Sequence, residues 1–325
     1  MIRFAEEKDI PSIMRFINDY WRENHILSRD RTLFEFQHKW ETEISFVLSE
    51  KDNKIIGILG YIPYGKHNRD VTLAIWKVVK NKEPFQGLKL LSFLRKNGNI
   101  RSVSSPGINP EVTIPIYNLL GLETGKLKQW YRLRLIHDYK IAKVSKYDIP
   151  LVKTDRKVNI QELNDFSELE NNFFIDGCLK KQNQLEKSKY YLKRRYFDHP
   201  IFSYIKYAIS FEDEKLIVVL RLQKYKESSI LRVIDCIGDL DLFSSFTSKI
   251  DELLDKYNCE YADCYETGVD DEIYKDAGWL LVSESGNIMP DYFAPFEQRN
   301  IDIYYMSEIK NVVLFKGDGD MDRPN

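Results

Sequence analysis

The sequence predicts an α/β protein of two tandem domains, on three observations. The chain has 325 residues, and domains of roughly 100–200 residues make two the natural number. Segments with a two-residue apolar period alternate with segments at helical spacing. The order of those segments in the first half recurs in the second.

In the first half, Ile2 to Glu6 reads as a short strand. Asp9 is placed as a helix cap with Pro11 in the first turn. Ile10, Ile13, Met14, Ile17 and Trp21 follow as one apolar stripe. A second helix is expected from Thr32 to Trp40. The period then becomes two. Ile44, Phe46 and Leu48 alternate with Ser45, Val47 and Ser49, Asp52-Asn53 makes a turn, and Ile55 to Ile62 returns as a hairpin strand. Val71 to Val79 is a third long strand. A helix from Leu88 stops near Gly98, Ile100 to Ser104 is a strand, Ile116 to Leu120 is helical, and a single strand is expected from Lys126 to Leu135.

Asp148-Ile149-Pro150 to Lys157 is polar and proline-containing, so the domains are cut at 1–147 and 148–325. Beyond it a strand at Val158 to Leu163, helical segments to Tyr196, strands at 205–211, 216–222 and 230–237, and a helix carrying Leu242, Phe246, Ile250 and Leu253 restate the first order. A local echo accompanies it. Tyr117-x3-Gly121-Leu122 and Tyr274-x3-Gly278-Trp279 each end a helix before a strand.

Composition excludes several classes. There are 48 Lys+Arg against 50 Asp+Glu, and no sustained basic block marks a nucleic-acid surface. The clusters Lys180–Lys181 and Lys193–Arg195 are local. The first residues lack a basic then apolar leader, and no run reaches the ~18 apolar residues of a membrane span, so a cytoplasmic protein is expected. Cys178, Cys236, Cys259 and Cys264 match no zinc spacing. They read as reduced, buried thiols, with a nucleophilic Cys236 as the alternative, and no metal is expected. A homodimer is left open.

The element order, with Ile2-Arg3-x-Ala5-x3-Asp9-Ile10 and Lys82-x-x-Phe85-x-Gly87-x-x-Leu90-Leu91, resembles the GNAT acyltransferase superfamily. The resemblance implies two GNAT-like domains, each a mixed, mostly antiparallel central sheet flanked by helices. It also implies acetyl-CoA or another acyl-CoA as co-substrate. Phe85 stands where the family has its first loop glycine, Lys82 stands for Gln/Arg, Pro84 removes one amide, and Gly87 keeps the second glycine. A helix N-terminus offers unpaired N–H groups and partial positive charge to a pyrophosphate. Gln86, Gly87, Leu88 and Lys89 would supply amides, and Lys82 or Lys89 a cationic side chain. Lys77, Val78 and Val79 would pair with pantetheine. Tyr117 falls where the family protonates the leaving thiolate, and a core tyrosine is the alternative.

The early helices carry Trp21, Asn24, His25, His38 and Trp40, the region that covers the acceptor in the superfamily. His25 or His38 could serve as general base. In the second half the loop before the corresponding helix is acidic, Asp235-Cys236-Ile237-Gly238-Asp239-Leu240-Asp241, and would repel a pyrophosphate. That domain is expected to shape an acceptor site or to hold the first. The tail from Leu314 to Asn325 places Lys316, Asp318, Asp320, Asp322 and Arg323 close together. It imitates the start of a calcium loop without the sixth-position glycine or the late Glu. A solvated turn and a polar-ligand site are the other readings. Similar endings, and the stretch Pro290 to Phe296, resemble tandem GNAT-like proteins encoded with bacterial surface-polysaccharide genes. The acceptor implied is a sugar, sugar nucleotide or polysaccharide precursor. A non-catalytic carbohydrate- or partner-binding module and, less well, an aminoacyl-tRNA-dependent transferase are the rivals.

Overall fold

The computed structural model describes residues 1–80, 85–154, 156–172, 181 and 183–324. The first-half strands are β1 (Ile2–Ala5), β2 (Lys39–Trp40), β3 (Glu43–Lys51), β4 (Lys54–Pro63), β5 (Arg69–Val78), β6 (Ile100–Ile108), β7 (Glu123–Lys126) and β8 (Lys128–Leu133). The later strands are β9 (Asn159–Glu162), β10 (Ile205–Phe211), β11 (Glu214–Tyr225), β12 (Ser228–Gly238), β13 (Cys259–Thr267), β14 (Leu280–Leu281), β15 (Tyr304–Ser307) and β16 (Leu314–Phe315). The helices used below are α1 (Ile10–Phe16), α2 (Ile26–Arg29), α3 (Arg31–His38), α4 (Gln86–Asn97), α5 (Pro110–Leu119), α6 (Phe166–Asn172), α7 (Lys189–Leu192), α8 (Phe243–Lys256) and α9 (Asp271–Asp276).

Two eight-stranded mixed sheets result. The first runs β1-β3-β4-β5-β6-β15-β7, with β2 on β3. The second runs β14-β8-β13-β12-β11-β10-β9, with β16 on β13. In each sheet one central pair is parallel, β5 with β6 and β12 with β13. The tandem layout expected from the repeated order is therefore present.

The sheets do not follow a cut at residue 147. The single strand expected over Lys126 to Leu135 is two strands parted at Leu127. β7 stays in the first sheet, while β8 crosses to pair with β13 in the second. In return β15 enters the first sheet between β6 and β7. Each half thus completes the other's sheet, and neither sheet is continuous without the partner half.

The Tyr–Gly echo has a physical cause. Gly121 and Gly278 both have φ near +70°, a conformation that glycine adopts without a Cβ penalty. In both places the following N–H bonds back to the tyrosine carbonyl, Leu122 to Tyr117 at 3.0 Å and Trp279 to Tyr274 at 2.9 Å. The hairpin turn at Asp52 and Asn53 also holds, with φ of 50° and 58°. Asp9 differs from expectation. Its carboxylate does not cap α1 but takes the Arg3 guanidinium at 2.6 and 2.9 Å and the Glu6 N–H at 2.8 Å.

Apolar faces close the layers. Ile10, Ile13 and Phe34 from α1 and α3 pack on Phe46 and Ile58 of the first sheet. Leu90 and Leu94 of α4 pack with Leu59 and Leu73. Phe246, Ile250 and Leu253 of α8 cover Leu231 and Val233 of the second sheet. Tyr64, Tyr191, Tyr196 and Leu314 fill the seam between the halves.

Candidate active site

β5 and β6 pair in parallel from Arg69 opposite Ile100 to Thr72 opposite Ser104. Beyond that point they part. β5 keeps β4 on one edge and β6 keeps β15 on the other, so the sheet is split between residues 73–78 and 105–108. A cavity of about 790 Å³ opens at the split. Leu73, Trp76, Pro106 and Tyr117 form its first-domain wall. Phe202, Arg221, Arg232 and Asp291 form the second-domain wall.

At the outer end of β5, α4 begins at Gln86. Phe85 has φ of 56° and is 76% exposed, so its ring does not close the split. The N–H groups of Gln86, Gly87 and Leu88 form the first turn of α4, and the Phe85 side chain does not cap them. Gln86 is buried, and its amide nitrogen donates to Ser49 Oγ, which ties the helix start to β3. Trp76 lies against Gly87, where a Cβ would stand 3.3 Å from the indole. Trp76 also faces Tyr117, with ring centroids 6.3 Å apart. The indole thus touches the first turn of α4 and faces the Tyr117 ring.

The chain's tail builds the other side. Gly319 passes the point where β5 and β6 separate, and a Cβ there would lie 3.5 Å from Thr72 Oγ1 and from Pro106. The following residues, Asp320 to Pro324, line the cavity. In the second sheet β12 and β13 also part beyond Val233 and Cys264. There the opening is filled. β16 pairs with β13, and the Gly317 N–H donates to the Ile234 carbonyl at 2.7 Å.

Three solved structures share this architecture. A GCN5-related N-acetyltransferase of Anabaena variabilis matches with a TM-score of 0.57 at 11% identity, over 95% of this chain and 72% of its own. A conserved protein of unknown function from Enterococcus faecalis matches with a TM-score of 0.56 at 9% identity, over 95% and 72%. An acetyltransferase candidate of Pyrococcus horikoshii covers 100% of this chain and 95% of its own, with a TM-score of 0.51 and 11% identity. The protein has the GCN5-related N-acetyltransferase fold. No protein-family model and no curated protein sequence matches the chain.

On this GCN5-related fold the residues singled out from sequence fall into three groups. The first lines the split or its mouth. Lys77 and Val78 end β5, and Val79 follows, with its N–H bonded to the Ile56 carbonyl at 2.8 Å. Gln86, Gly87, Leu88 and Lys89 form the first turn of α4, and Lys82 lies outside the described residues. Tyr117, Trp21, Lys316, Asp320 and Arg323 line the cavity. Burial holds the Tyr117 hydroxyl well above the usual phenol range.

The second group holds the fold and does not line the cavity. His25 is buried, its Nδ1 accepts from the Leu27 N–H at 3.2 Å at the start of α2, and burial lowers it to about 3. His38 is fully buried between Phe34 and Phe46, bonded to Ser45 Oγ at 2.9 Å, and is also lowered to about 3 by burial. Neither imidazole is placed as a general base. Trp40 stacks on Tyr191 and takes the Arg194 guanidinium at 5.0 Å, which joins the two halves. Asn24 is exposed in a turn held by Asn18.

The third group is the buried acids. Asp235 accepts Lys187 at 2.7 Å and the Tyr196 hydroxyl at 2.6 Å. Asp318 accepts the Tyr64 hydroxyl at 2.9 Å and also meets Lys187 at 2.9 Å. Asp322 accepts the Tyr204 hydroxyl at 2.8 Å and Arg221 Nη2 at 2.5 Å. Their charges are met by side chains, which replaces both the calcium-loop and the solvated-turn readings of the tail. Asp235 and Asp318 join the halves and are not ligand-facing. Among the described residues no cluster of His, Cys, Asp and Glu could hold a metal ion, and no helix is long and apolar enough to cross a membrane. Cys236, Cys259 and Cys264 are free and buried, and burial raises each thiol, which leaves Cys236 a poor nucleophile. Cys178 lies outside the described residues.

Sequence reasoning missed Trp76, Arg221 and Arg232. Trp76 sits in a strand with ordinary alternation. The two arginines lie mid-strand, where only the depth of the cavity marks them.

Proposed function

We propose that the protein transfers an acyl group from an acyl-coenzyme A, most simply acetyl-CoA, to an amino or hydroxyl group of a sugar, sugar nucleotide or polysaccharide precursor. The observation that carries this reading is the split between β5 and β6. It has the first turn of α4, residues 86–88, at one end and a polar cavity at the other.

The α4 amides and dipole suit the pyrophosphate, and Gly87 lets the backbone approach it. Pantetheine would run along the unpaired edge of residues 73–78, past Trp76. The acceptor nitrogen or oxygen attacks the thioester carbonyl, the C–S bond breaks, and the Tyr117 hydroxyl protonates the departing thiolate. Among the described residues, each carboxylate on the cavity wall is paired with a cation. The acceptor's proton therefore passes to cavity water. Trp21, Trp76 and Phe202 offer flat faces, and the paired charges between them offer fixed donors and acceptors, a lining suited to a hydroxylated ring. Acyl-CoA supply places the reaction in the cytoplasm.

Isothermal titration with acetyl-CoA and its desulfo analogue tests the reading. Saturable binding of both is expected. Absence of heat at millimolar ligand, with the protein folded, removes the transferase and leaves a sugar-binding module. The close approach of Trp76 to Gly87 is the one observation that favours that module, because it narrows the path to the α4 amides.

A further inference from the structure

Two arginines of the second sheet reach the cavity wall, and their hydrogen bonding differs. A guanidinium has five N–H donors. Arg232 engages all of them, with Asp263 at 2.8 and 2.7 Å, Asp291 Oδ1 at 2.9 Å and carbonyl, and the Pro290 carbonyl at 3.2 Å. Arg232 is a structural strut. Arg221 engages three. Nε and Nη2 donate to Asp322 Oδ1 at 3.1 and 2.5 Å, and Nη1 donates to Gln223 Oε1 at 2.7 Å. Its side chain is 11% exposed, so two donors remain on a group almost withdrawn from bulk water.

The surroundings fix that group in place. Its guanidinium lies 4.3 Å from the centre of the Phe202 ring. Asp322, wholly buried, is shared between Arg221 and Arg195, whose Nη2 donates to the Asp322 carbonyl at 2.6 Å and whose Nε is buried with no partner. Of the two, only Arg221 bonds the Asp322 carboxylate, and Arg195, held on the main-chain carbonyl, acts on that carboxylate through its charge. The other acids of the cavity wall near it are already paired, Asp291 with Arg232 and Lys316 and Asp320 with Arg323. Arg22 adds an exposed cation at the rim. Asp322 supplies the counter-charge but leaves two donors unspent on a buried group, which is costly, and a preorganised fork is suited to a planar or tetrahedral oxyanion.

We propose that Arg221, held by Asp322 and Gln223 over Phe202, is a recognition site for an oxyanion on the acceptor, a carboxylate or a phosphate carried by the sugar. The site rests on reading the cavity as the acceptor chamber, but it is tested without acyl-CoA. The full chain is titrated with glucose, glucuronate and glucose 1-phosphate, following the fluorescence of Trp21 and Trp76. Glucuronate or glucose 1-phosphate binds at least tenfold more tightly than glucose, and whichever of the two binds names the anion. Arg221→Lys keeps the charge, removes the fork and abolishes that tenfold preference. Phe85→Asp, at the coenzyme end, leaves it intact. Equal binding of the three sugars, no binding of either anion at millimolar concentration, or an unchanged preference in Arg221→Lys overturns the assignment. The wild-type comparison stands even where the variant does not fold. Loss of coenzyme A binding alone bears on the transferase reading and not on this site.

Discussion

The N–H of Gly317 donates to the carbonyl of Ile234 at 2.7 Å, and this bond marks where the tail enters the second sheet. The first domain keeps its split open, and the second fills its own with residues 314–317. One acyl-CoA per chain is therefore expected by calorimetry, and a second site of similar affinity would contradict the filled opening.

Gly317 has no room for a side chain. A Cβ there would lie 2.7 Å from Tyr196 Oη and 2.8 Å from the Ile234 carbonyl oxygen. Gly317→Val should cost about 1–3 kcal/mol, the usual range for overpacking, read as a lower urea midpoint with unchanged slope. An unaltered midpoint would mean that the tail is not seated in the sheet.

Phe85 holds a left-handed conformation at the start of α4 with its ring in solvent. Phe85→Asp places a capping carboxylate beside the first-turn amides of α4. It should stabilise the fold by roughly 0.5–1 kcal/mol and weaken coenzyme A binding at least tenfold, because two anions compete for one helix end. Thermal melting and calorimetry on the same variant read the two effects, and a change of both in the same direction would refute the placement of the pyrophosphate.

What the sequence made legible was local. The Asp52-Asn53 hairpin, the Tyr117 and Tyr274 helix ends and the α4 start all depend on neighbours within a few residues. What it hid was partnered at long range. The apolar run from Lys126 to Leu135 looks like one strand, because nothing nearby records that β8 pairs with Tyr261 to Glu266. The aspartates of the tail look solvated, because Lys187 and Arg221, the cations that bury them, lie more than a hundred residues away. His25 and His38 look catalytic by residue type alone, and their burial as a helix cap and a core ring is a tertiary fact.

Tyr117 separates chemistry from packing. Its ring is buried, and its hydroxyl has no bonded partner among the described residues. Tyr117→Phe should leave stability within about 1 kcal/mol, since no hydrogen bond is broken. It should lower kcat about 10²-fold, the lower end for loss of a general acid, with KM for acyl-CoA little changed. A full kcat in the variant would return Tyr117 to the core.

Acidification tests the buried histidines against two buried acids. Burial lowers His25, His38 and His199 to about 3. Between pH 6.5 and 3 the unfolded chain takes up protons there that the folded chain refuses, so stability falls as pH falls through that window. Glu266 acts in the opposite sense. Burial raises it to about 7 although Trp130 Nε1 donates to it at 2.8 Å, so its contribution is full below about 4.5 and is lost as pH rises through 7. Asp235, raised by burial to about 6, acts in the same sense as Glu266. Three histidines oppose these two acids, and the wild-type urea midpoint should drop between pH 7 and pH 5. Glu266→Gln removes its share of the compensating uptake and should steepen the drop, whereas His38→Phe should shallow it. If both variants track the wild type in parallel across these two pH values, neither side chain is buried in the state assigned to it here.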